Sequence, residues 1–460
     1  MNNQQTLSIL DAHYFSDVAA VDDFCRRCSF RDVVNLAEGI AHSIRDSAQP
    51  VQQSSAQSGI DKANFLPSSS FRGSSGCELW DCRSRKVHLL ARYAALYCDN
   101  VIVPVDFEGA CQETRDAFHP MTRASIASRL SEIVALRPLI ETGIVALVPE
   151  KLYFCEAHWQ EAVPEHQRIL KTAEKLARAN VGKFTVSYEP QMVEGHHAGM
   201  LNFRGPEDYL EHGQMSRFIS PPPSWLPKRL SSGKIQLSRE LIRKKRVVVP
   251  LFQDIANDAL LHAYFGPLFN ARYVTDNGGE AEFFQVLNAR DRLGMRSAEL
   301  CARLTHVVPM FQDVPLHAVL KLRRDEPEAF ESYRSTLTKI VRDHVRDGKG
   351  VSSSEAKDIY LDLLKPELNA LETTAKNLRR ARMKESVLKV AAASTVVGLA
   401  VYGGLPSTQL LDFIKTVGGI SVAKDLAEIL GALQKNPTAV RNHNLYFMLR
   451  VKQAKHSHND

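Results

Sequence analysis

The hydrophobic positions of the first 48 residues recur with the period of a helix. In "SDVAAVDDFCRRC" and "RDVVNLAEGIAHSIRD" the apolar residues are spaced three and four apart, which is typical of amphipathic helices. The pattern ends at residues 49–76, which are rich in Ser, Gln, Gly and Pro. Such a segment buries too little apolar surface to offset its ordering entropy. The sequence therefore predicts a helical N-terminal region (1–48) followed by a flexible linker (49–76).

Helical and strand-like patterns alternate from residue 77 onward. "RKVHLLARYAALYC" places its apolar residues on one helical face and is followed by the β-branched run "VIVPV". "MTRASIASRLSEIVAL" predicts a second helix, "IVALVP" a second strand and "KFTVSYEP" a third. Continuous apolar runs of this length are typical of strands buried in an α/β sheet. We predict an α/β central domain with short buried strands over residues 77–313.

Two stretches of this domain share the pattern V-V-P-[LM]-F-Q-D. They lie within residues 246–263 and 306–322. Proline cannot continue a strand ladder, and aspartate is a favoured N-cap of helices. The pattern predicts, in each case, a strand that stops at the proline and a helix capped by Asp254 or Asp313.

Residues 314–460 predict a mostly α-helical C-terminal domain with an Ala/Gly-rich hairpin. Its most unusual stretch is "VAAASTVVGLAVYGGL", residues 390–405, which carries no charge. The run is composed of small residues, and Pro406 follows closely, so we predict a helix packed against residues 408–433 and not a stable membrane span. Insertion of residues 390–433 into a membrane is the alternative.

The charge of the chain is unevenly distributed. The formal net charge is +6, yet residues 374–460 contain 13 Lys and Arg against 5 Asp and Glu. A basic region of this kind is typical of a surface that contacts protein, nucleic acid or anionic lipid. The N-terminus lacks the pattern of a signal peptide, and the eight cysteines are few for a disulfide framework. We therefore predict a cytoplasmic protein with reduced thiols, for which peripheral membrane association stays open.

Several segments resemble a loosely defined group of uncharacterised bacterial proteins. They are "LYCDNVIVP", "PLIETGIVALVP", "LRRDEPEAFESYRSTL" and the closing "LYFMLR". The resemblance implies a bacterial origin and a possible place in a defence or mobile-element system. It implies no catalytic residues.

Acidic residues follow the predicted strands and suggest a metal site. Ligands of open parallel sheets bind beyond the carboxyl ends of the strands. Asp106 and Glu108 follow "VIVPV", and Glu150 follows "IVALVP", while Asp254 and Asp313 follow the two shared patterns. Asp106, Glu108, Asp254 and Asp313 together would suit Mg²⁺ or Mn²⁺ and cleavage of phosphodiesters. Without that site, the sequence predicts no cofactor.

Other candidate chemistry is weaker. Cys25 and Cys28 have the spacing of zinc ligands, but they lie in a helical pattern, so we predict that they bind no zinc. His196 and His197 form a pair in a predicted Gly-flanked loop with no partner motif. Catalytic residues therefore stay unassigned.

Two functional hypotheses follow from these patterns. The first is a cytosolic bacterial interaction protein, with the basic C-terminal domain as its contact surface. The residues predicted to contact an anionic surface are Arg379, Arg380, Arg382, Lys384 and Lys389. The second is a metal-dependent phosphodiesterase or nuclease that uses the strand-end carboxylates.

Overall fold

A computed structural model describes most of the chain as two compact units. The described residues are 3–47, 64–73, 80–107, 111, 119–150, 156–193, 195–207, 209–210, 213–226, 233–287, 301–305, 314–344, 353–375, 443 and 445–456. The first unit comprises residues 1–312 and 340–356, and the second comprises residues 313–339 and 357–460.

The described chain is mostly helical and contains two small sheets. The helices are α1 (Gln4–Ala12), α2 (Val18–Arg27), α3 (Phe30–Ser47), α4 (Trp80–Tyr97), α5 (His119–Glu141), α6 (Glu156–Asn180), α7 (Arg239–Lys244), α8 (Val249–Phe269), α9 (Gly278–Leu287), α10 (Leu316–Asp325), α11 (Pro327–His344), α12 (Ser353–Asp358) and α13 (Tyr446–His456). The strands are β1 (Asn64–Pro67), β2 (Asn100–Val105), β3 (Val145–Pro149), β4 (Thr185–Val193), β5 (His196–Arg204), β6 (Gln214–Ile219), β7 (Ile235–Gln236) and β8 (Ala271–Val274). The predicted α/β content is thus confirmed.

The parallel sheet has the strand order β3-β2-β1-β8. The chain moves from β1 through α4 to β2 and through α5 to β3, and it later adds β8 on the other side of β1. The direction of winding therefore reverses at β1. In open sheets of this kind, the crevice at such a reversal is where ligands bind.

Apolar side chains cover both faces of the parallel sheet. On one face, Leu66 and Ile102 pack with Phe265 and Phe269 of α8. On the other, the ring of Phe65 contacts the ring of Tyr93 in α4. Burial on both faces explains why β2 and β3 are continuous apolar runs, which the sequence identified correctly.

The linker predicted over residues 49–76 is wrong for residues 64–73. Residues 64–67, "NFLP", form β1, which pairs with both β2 and β8. Phe65 and Leu66 are buried. The sequence pattern does not predict this strand because its four residues are flanked by polar ones. Its stability comes from pairing with strands that are distant along the chain.

The predicted N-terminal helices pack on the parallel-sheet layer. Arg137 of α5 forms an ion pair with Asp11 at 2.5 Å. The Arg123 side chain donates hydrogen bonds to the carbonyl oxygens of Cys25 and Cys28. These contacts join the region 1–47 to α5, and the sequence alone did not predict them.

The antiparallel sheet, with strand order β6-β5-β4-β7, was predicted only in β4. Its buried face contributes Val186, Tyr188, Leu201 and Phe203 to a core shared with α6 and α8. β6, which includes Phe218 and Ile219, pairs with β5 at the edge of this sheet.

The strand predicted at "RVVVP" is wrong. Residues 245–248 form a turn, and α8 begins at Val249, with Pro250 in its first turn. Proline is tolerated there because the first helical N–H groups have no intrahelical acceptor. Asp254 therefore lies inside the helix and not at its N-cap.

The second unit contains a small helical core. Phe447 of α13 contacts Phe330 and Tyr333 of α11 through their rings. Arg450 of α13 pairs with Glu326 at 3.1 Å. The helical prediction is confirmed for the described residues of this region, and "LYFMLR" belongs to a helix. A π-helical segment, Ile359–Leu364, precedes Pro366.

Replacing Gly199 by alanine is expected to lower the free energy of unfolding by about 1–3 kcal/mol, the cost of overpacking. A Cβ atom at Gly199 would overlap the buried ring of Tyr188. Gly39 is the matched control, because a Cβ atom there meets nothing within 4 Å. Gly39→Ala should instead stabilise α3 by about 0.5–1 kcal/mol. Urea denaturation followed by circular dichroism measures both, and equal effects would contradict the prediction.

Candidate functional site

A polar cavity lies at the carboxyl edge of the parallel sheet. Its volume is about 220 Å³. Its lining residues come from the ends of β1, β2 and β3 and from α4 and α5, and they are Ser69, Arg72, Arg83, Val105, Asp106, Arg129, Glu132 and Glu150. Three arginines and three carboxylates therefore surround one small space.

The turn after β1 brings Ser69 and Arg72 to this cavity. The Ser68 N–H donates to the carbonyl oxygen of Val274 at 2.9 Å, which continues the pairing with β8. The Ser68 hydroxyl accepts a hydrogen bond from the Phe71 N–H at 3.0 Å. Gly73 ends the turn with a φ of 71°, a conformation that favours glycine. The short polar side chains and the glycine thus form a tight turn between β1 and α4.

Arg83 and Glu132 form a buried ion pair at the wall of the cavity. The side chain of Arg83 is 3% exposed, and that of Glu132 is 1% exposed. The guanidinium contacts the Glu132 carboxylate and also donates to the Ser128 hydroxyl at 3.0 Å. The two residues lie on α4 and α5, so the pair also joins these helices.

Arg72 is buried but loosely paired. Its Nε lies 3.7 Å from Glu132 Oε1, and its Nη2 lies 3.5 Å from Glu150 Oε2. Within the described residues, neither Arg72 Nε nor Glu132 Oε1 has a hydrogen-bond partner. Burial lowers the pKa of Arg72, but Glu150, Glu132 and Asp258 outweigh it and hold the pKa above its ordinary value. Arg72 is therefore a charged donor with unused hydrogen-bonding capacity beside the cavity.

Asp106 and Arg129 complete the lining near the end of β2. Arg129 donates to the hydroxyl of Ser125 one turn earlier on α5. Cys111 lies close to both residues. Burial, Glu38 and Asp106 raise the pKa of its thiol to about 11, against the opposing charge of Arg129. Cys111 is thus a protonated thiol near neutral pH and not a reactive thiolate.

Two buried carboxyl groups hold the other side of the β1 turn. Asp258 of α8 accepts the Ser69 N–H at 2.8 Å on Oδ2 and the Ser69 hydroxyl on Oδ1. Glu280 of α9 accepts the hydroxyls of Ser70 at 2.8 Å and Tyr273 at 3.3 Å. Ser69 and Ser70 are therefore held by side chains that lie 189 and 210 residues further along the chain.

The buried environment raises the pKa of both carboxyl groups. For Asp258, burial and then Glu280 raise the pKa to about 8, although the Ser69 hydrogen bonds and Arg72 lower it. For Glu280, burial and Asp276 raise the pKa, against hydrogen bonds from Thr275, Ser70 and Ser68. Titratable groups with shifted pKa values beside a cavity are typical of functional sites.

A further ion pair joins α4 to the residue pair that follows β8. Lys86 Nζ lies 2.5 Å from Asp276 Oδ2, and both side chains are largely buried. Asp276 follows the end of β8, and Lys86 lies on α4 one turn after Arg83. Charged side chains thus extend along the carboxyl edge from β3 to β8.

The structure places the predicted metal ligands in different surroundings. Asp106 lines the cavity, as does Glu150. Asp254 is not among the lining residues. It lies on α8 facing Arg217 of β6 at 3.5 Å, and burial raises its pKa. Glu108 and Asp313 lie outside the described residues. In the part of the chain that the structure describes, no group of three or more His, Cys, Asp or Glu side chains is arranged to hold a metal ion.

The cysteine and histidine pairs predicted from the sequence are not among the residues that line the cavity. Cys25 is buried in α2, and burial raises its pKa to about 11. His196 and His197 are exposed at the start of β5, not in a loop. The basic residues from Arg379 to Lys389 and the stretch 390–405 lie outside the described residues, so their predicted contacts and packing stay predictions. None of the described helices is long and apolar enough to cross a membrane.

Sequence reasoning missed most of the cavity. Ser69 and Arg72 lie in the segment predicted as a linker, and Arg83, Arg129 and Glu132 lie on helices where charge is usual. One signal was present: "NFLP" followed by "SSSFRG" is a short apolar run and then small polar residues with a glycine. That order is typical of a strand followed by a ligand-binding turn.

Comparisons with known proteins do not assign the chain to a family. No protein-family model matches the chain, and no curated protein and no solved structure is significantly similar to it. The resemblance to uncharacterised bacterial proteins stays a prediction.

Proposed function

We propose that the cavity binds a small phosphorylated metabolite with neighbouring hydroxyl groups, the chemical class of sugar phosphates and nucleotides. Arg72 carries this proposal. Its guanidinium is buried beside the cavity, its ion pairs are 3.5 and 3.7 Å long, and its Nε has no hydrogen-bond partner among the described residues. A buried donor without a partner costs about 1–3 kcal/mol, and a ligand oxyanion would remove that cost.

The arginine geometry favours a phosphate group. A guanidinium presents several donors in one plane and binds phosphate oxygens in a bidentate manner. Arg83 also has an Nε without a hydrogen-bond partner among the described residues, but both of its terminal nitrogens already bind Ser128 and Glu132. Arg72 would therefore be the principal contact of the phosphate, and Arg129 adds a second positive charge to the cavity lining.

The carboxylates favour hydroxyl groups on the same ligand. Asp106 and Glu150 follow the ends of β2 and β3 and line the cavity. Ionised carboxylates accept hydrogen bonds only, so they suit hydroxyl or amine donors and repel phosphate. In nucleotide-binding sheets wound in this way, phosphate lies at the turn after the first strand and ribose is held by an acidic residue further along the chain. The order Arg72, then Asp106, follows that arrangement.

Calorimetric titration tests the proposal with ribose 5-phosphate, ribose and inorganic phosphate. We expect ribose 5-phosphate to bind most tightly, phosphate more weakly, and ribose without measurable affinity. Arg72→Gln should weaken binding of ribose 5-phosphate about ten- to a hundredfold, the effect of a hydrogen bond to a charged group. Arg72→Lys, which keeps the charge but loses the planar fork, should lie between Arg72→Gln and the wild type.

Two controls make the result specific. Arg178→Gln removes an exposed arginine of α6 that pairs with Glu174 at 3.3 Å, and it should leave binding unchanged. Asp106→Asn should weaken ribose 5-phosphate but not phosphate, because it alters only the hydroxyl contact. Equal affinities for ribose and ribose 5-phosphate, or equal effects of the Arg72 and Arg178 changes, would overturn the proposal.

A further inference from the structure

We infer that the cavity is catalytic: Ser69 is the nucleophile of a phosphoryl-transfer reaction, and Asp258 is the base that takes its proton. This inference rests on the proposed function, because it requires a phosphorylated ligand held by Arg72. It goes further because it assigns a chemical reaction to the cavity, whereas the proposed function assigns only the binding of a phosphorylated metabolite.

The position of Ser69 separates it from its neighbours. Of the three serines in the turn, Ser69 is the one that lines the cavity. The hydroxyl of Ser68 contacts Thr275 and the Phe71 N–H, and that of Ser70 contacts Glu280. Those contacts hold the turn. Ser69 instead combines a place on the cavity wall with a hydrogen bond from its hydroxyl to Asp258 Oδ1.

The arrangement meets the geometric requirement for an activated nucleophile. Such a pair needs a hydroxyl within hydrogen-bond reach of a base, and a third group that orients the base. The Ser69 N–H, which donates to Asp258 Oδ2 at 2.8 Å, holds the carboxyl group in that orientation. Arg72 lies three residues further along the same turn, where it can stabilise charge on the phosphoryl oxygens.

The reaction step balances without another reactant. The Ser69 oxygen forms a bond to phosphorus, the bond from phosphorus to the leaving alcohol oxygen breaks, and the Ser69 proton passes to Asp258 and then to that oxygen. Water then attacks the phosphoserine, Asp258 takes a proton from this water, and the proton returns to Ser69. The products are the alcohol and inorganic phosphate.

The groups around Asp258 suit it to act as a base near neutral pH. Glu280 faces it from α9, Tyr273 from β8, and Arg72 and Ser69 from the β1 turn. Burial and Glu280 bring the pKa of Asp258 to about 8, which lies in the range where general bases are most efficient.

Labelling with diisopropyl fluorophosphate, a phosphorus electrophile, tests the inference. Mass spectrometry of the digested protein should find the diisopropylphosphoryl group on Ser69, with release of fluoride. The rate should rise with pH, with a midpoint near 8. Ser69→Ala should carry no adduct, and Asp258→Asn should label about 100-fold more slowly, a usual contribution of a general base. The exposed Ser216, whose hydroxyl donates to Asn202, provides the control variant Ser216→Ala, which should label at the wild-type rate.

Glu280→Gln distinguishes a base from a structural anchor. Because Glu280 raises the pKa of Asp258, its neutralisation should move the midpoint of the pH profile to lower pH. A purely structural Asp258 leaves that midpoint unchanged. Circular dichroism confirms that each variant is folded before labelling.

The outcomes separate this inference from the proposed function. An unlabelled Ser69, or labelling that is indifferent to Asp258→Asn, would overturn the catalytic inference. Retained binding of ribose 5-phosphate by Ser69→Ala would then leave the proposed function in place. Labelling of Ser69 in a protein that binds no ribose 5-phosphate would instead overturn the proposed function.

Discussion

Replacing Glu132 by glutamine is expected to lower the free energy of unfolding by about 3–5 kcal/mol, the usual cost of leaving a buried charge uncompensated. Glu132 is 1% exposed and contacts Arg83, and its other oxygen lies 3.7 Å from Arg72. Glutamine keeps the shape of the side chain but removes the charge. Both arginines then stay buried with less compensation, which water cannot supply in the interior. Urea denaturation at constant pH measures the effect.

Glu165→Gln is the matched control for this change. Glu165 pairs with Arg168 at 2.6 Å on the surface of α6, where both side chains are substantially exposed. Surface pairs of this kind contribute about 0–1 kcal/mol. A similar loss in the two variants would contradict the buried-pair argument. Replacing the pair by apolar residues, Arg83→Met with Glu132→Leu, should cost less than Glu132→Gln, because no unpaired charge is left at position 83.

The stability of the protein relative to its Asp258→Asn variant is expected to fall between about pH 4 and pH 8. The pKa of Asp258 is about 8 in the folded protein and near 3.8 in an unfolded chain. The folded state therefore binds this proton more strongly, so the contribution is complete below pH 4 and is lost as the pH rises through 8. The slope approaches 1.4 kcal/mol per pH unit, the value for one proton, at about 25 °C.

Denaturation of both proteins between pH 5 and pH 9 measures this difference. Asparagine cannot ionise, so the variant lacks this slope, and the other titrating groups largely cancel in the comparison. Glu280 adds a slope of the same sign in both proteins because its pKa is also raised. A difference between the two proteins that stays constant over this range would contradict the buried-proton argument.

The two effects belong to one arrangement of charges. Arg83 and Glu132 line the cavity, and the Asp258 and Glu280 carboxyl groups bind the turn that contributes Ser69 and Arg72 to it. Burying these charged groups costs desolvation free energy, which the rest of the folded structure must offset. Buried titratable groups with shifted pKa values are usual where a protein binds or transforms a polar ligand.

Local pattern was sufficient for the elements that bury continuous or periodic apolar residues. β2, β3, α3 and α5 follow from spacing because the apolar residues at those spacings are buried in the structure. The position of Asp106 at the end of β2 followed as well, since residues after a parallel strand lie at the carboxyl edge of the sheet.

Local pattern failed where partners lie far apart along the chain. α8 begins at the last valine of "VVVP", although this run is β-branched, because Phe252, Ile255 and Ala259 pack in the core. Valine disfavours a helix by only about 0.7 kcal/mol or less per residue. The packing of these side chains in the core outweighs that preference. The cap predicted for Asp254 failed for the same reason.

Sequence alone thus determined the helices α2 to α5 and the strands β2 and β3, together with one acidic residue of the cavity. Tertiary structure decided the rest of the site. β1 exists because β2 and β8 pair with its four residues, and Ser69 is held by Asp258, 189 residues later. Arg72 becomes a candidate ligand-binding residue only when the fold buries it beside Glu132 and Glu150. Burial and long-range pairing give these ordinary residues their chemistry, and neither is a property of the local sequence.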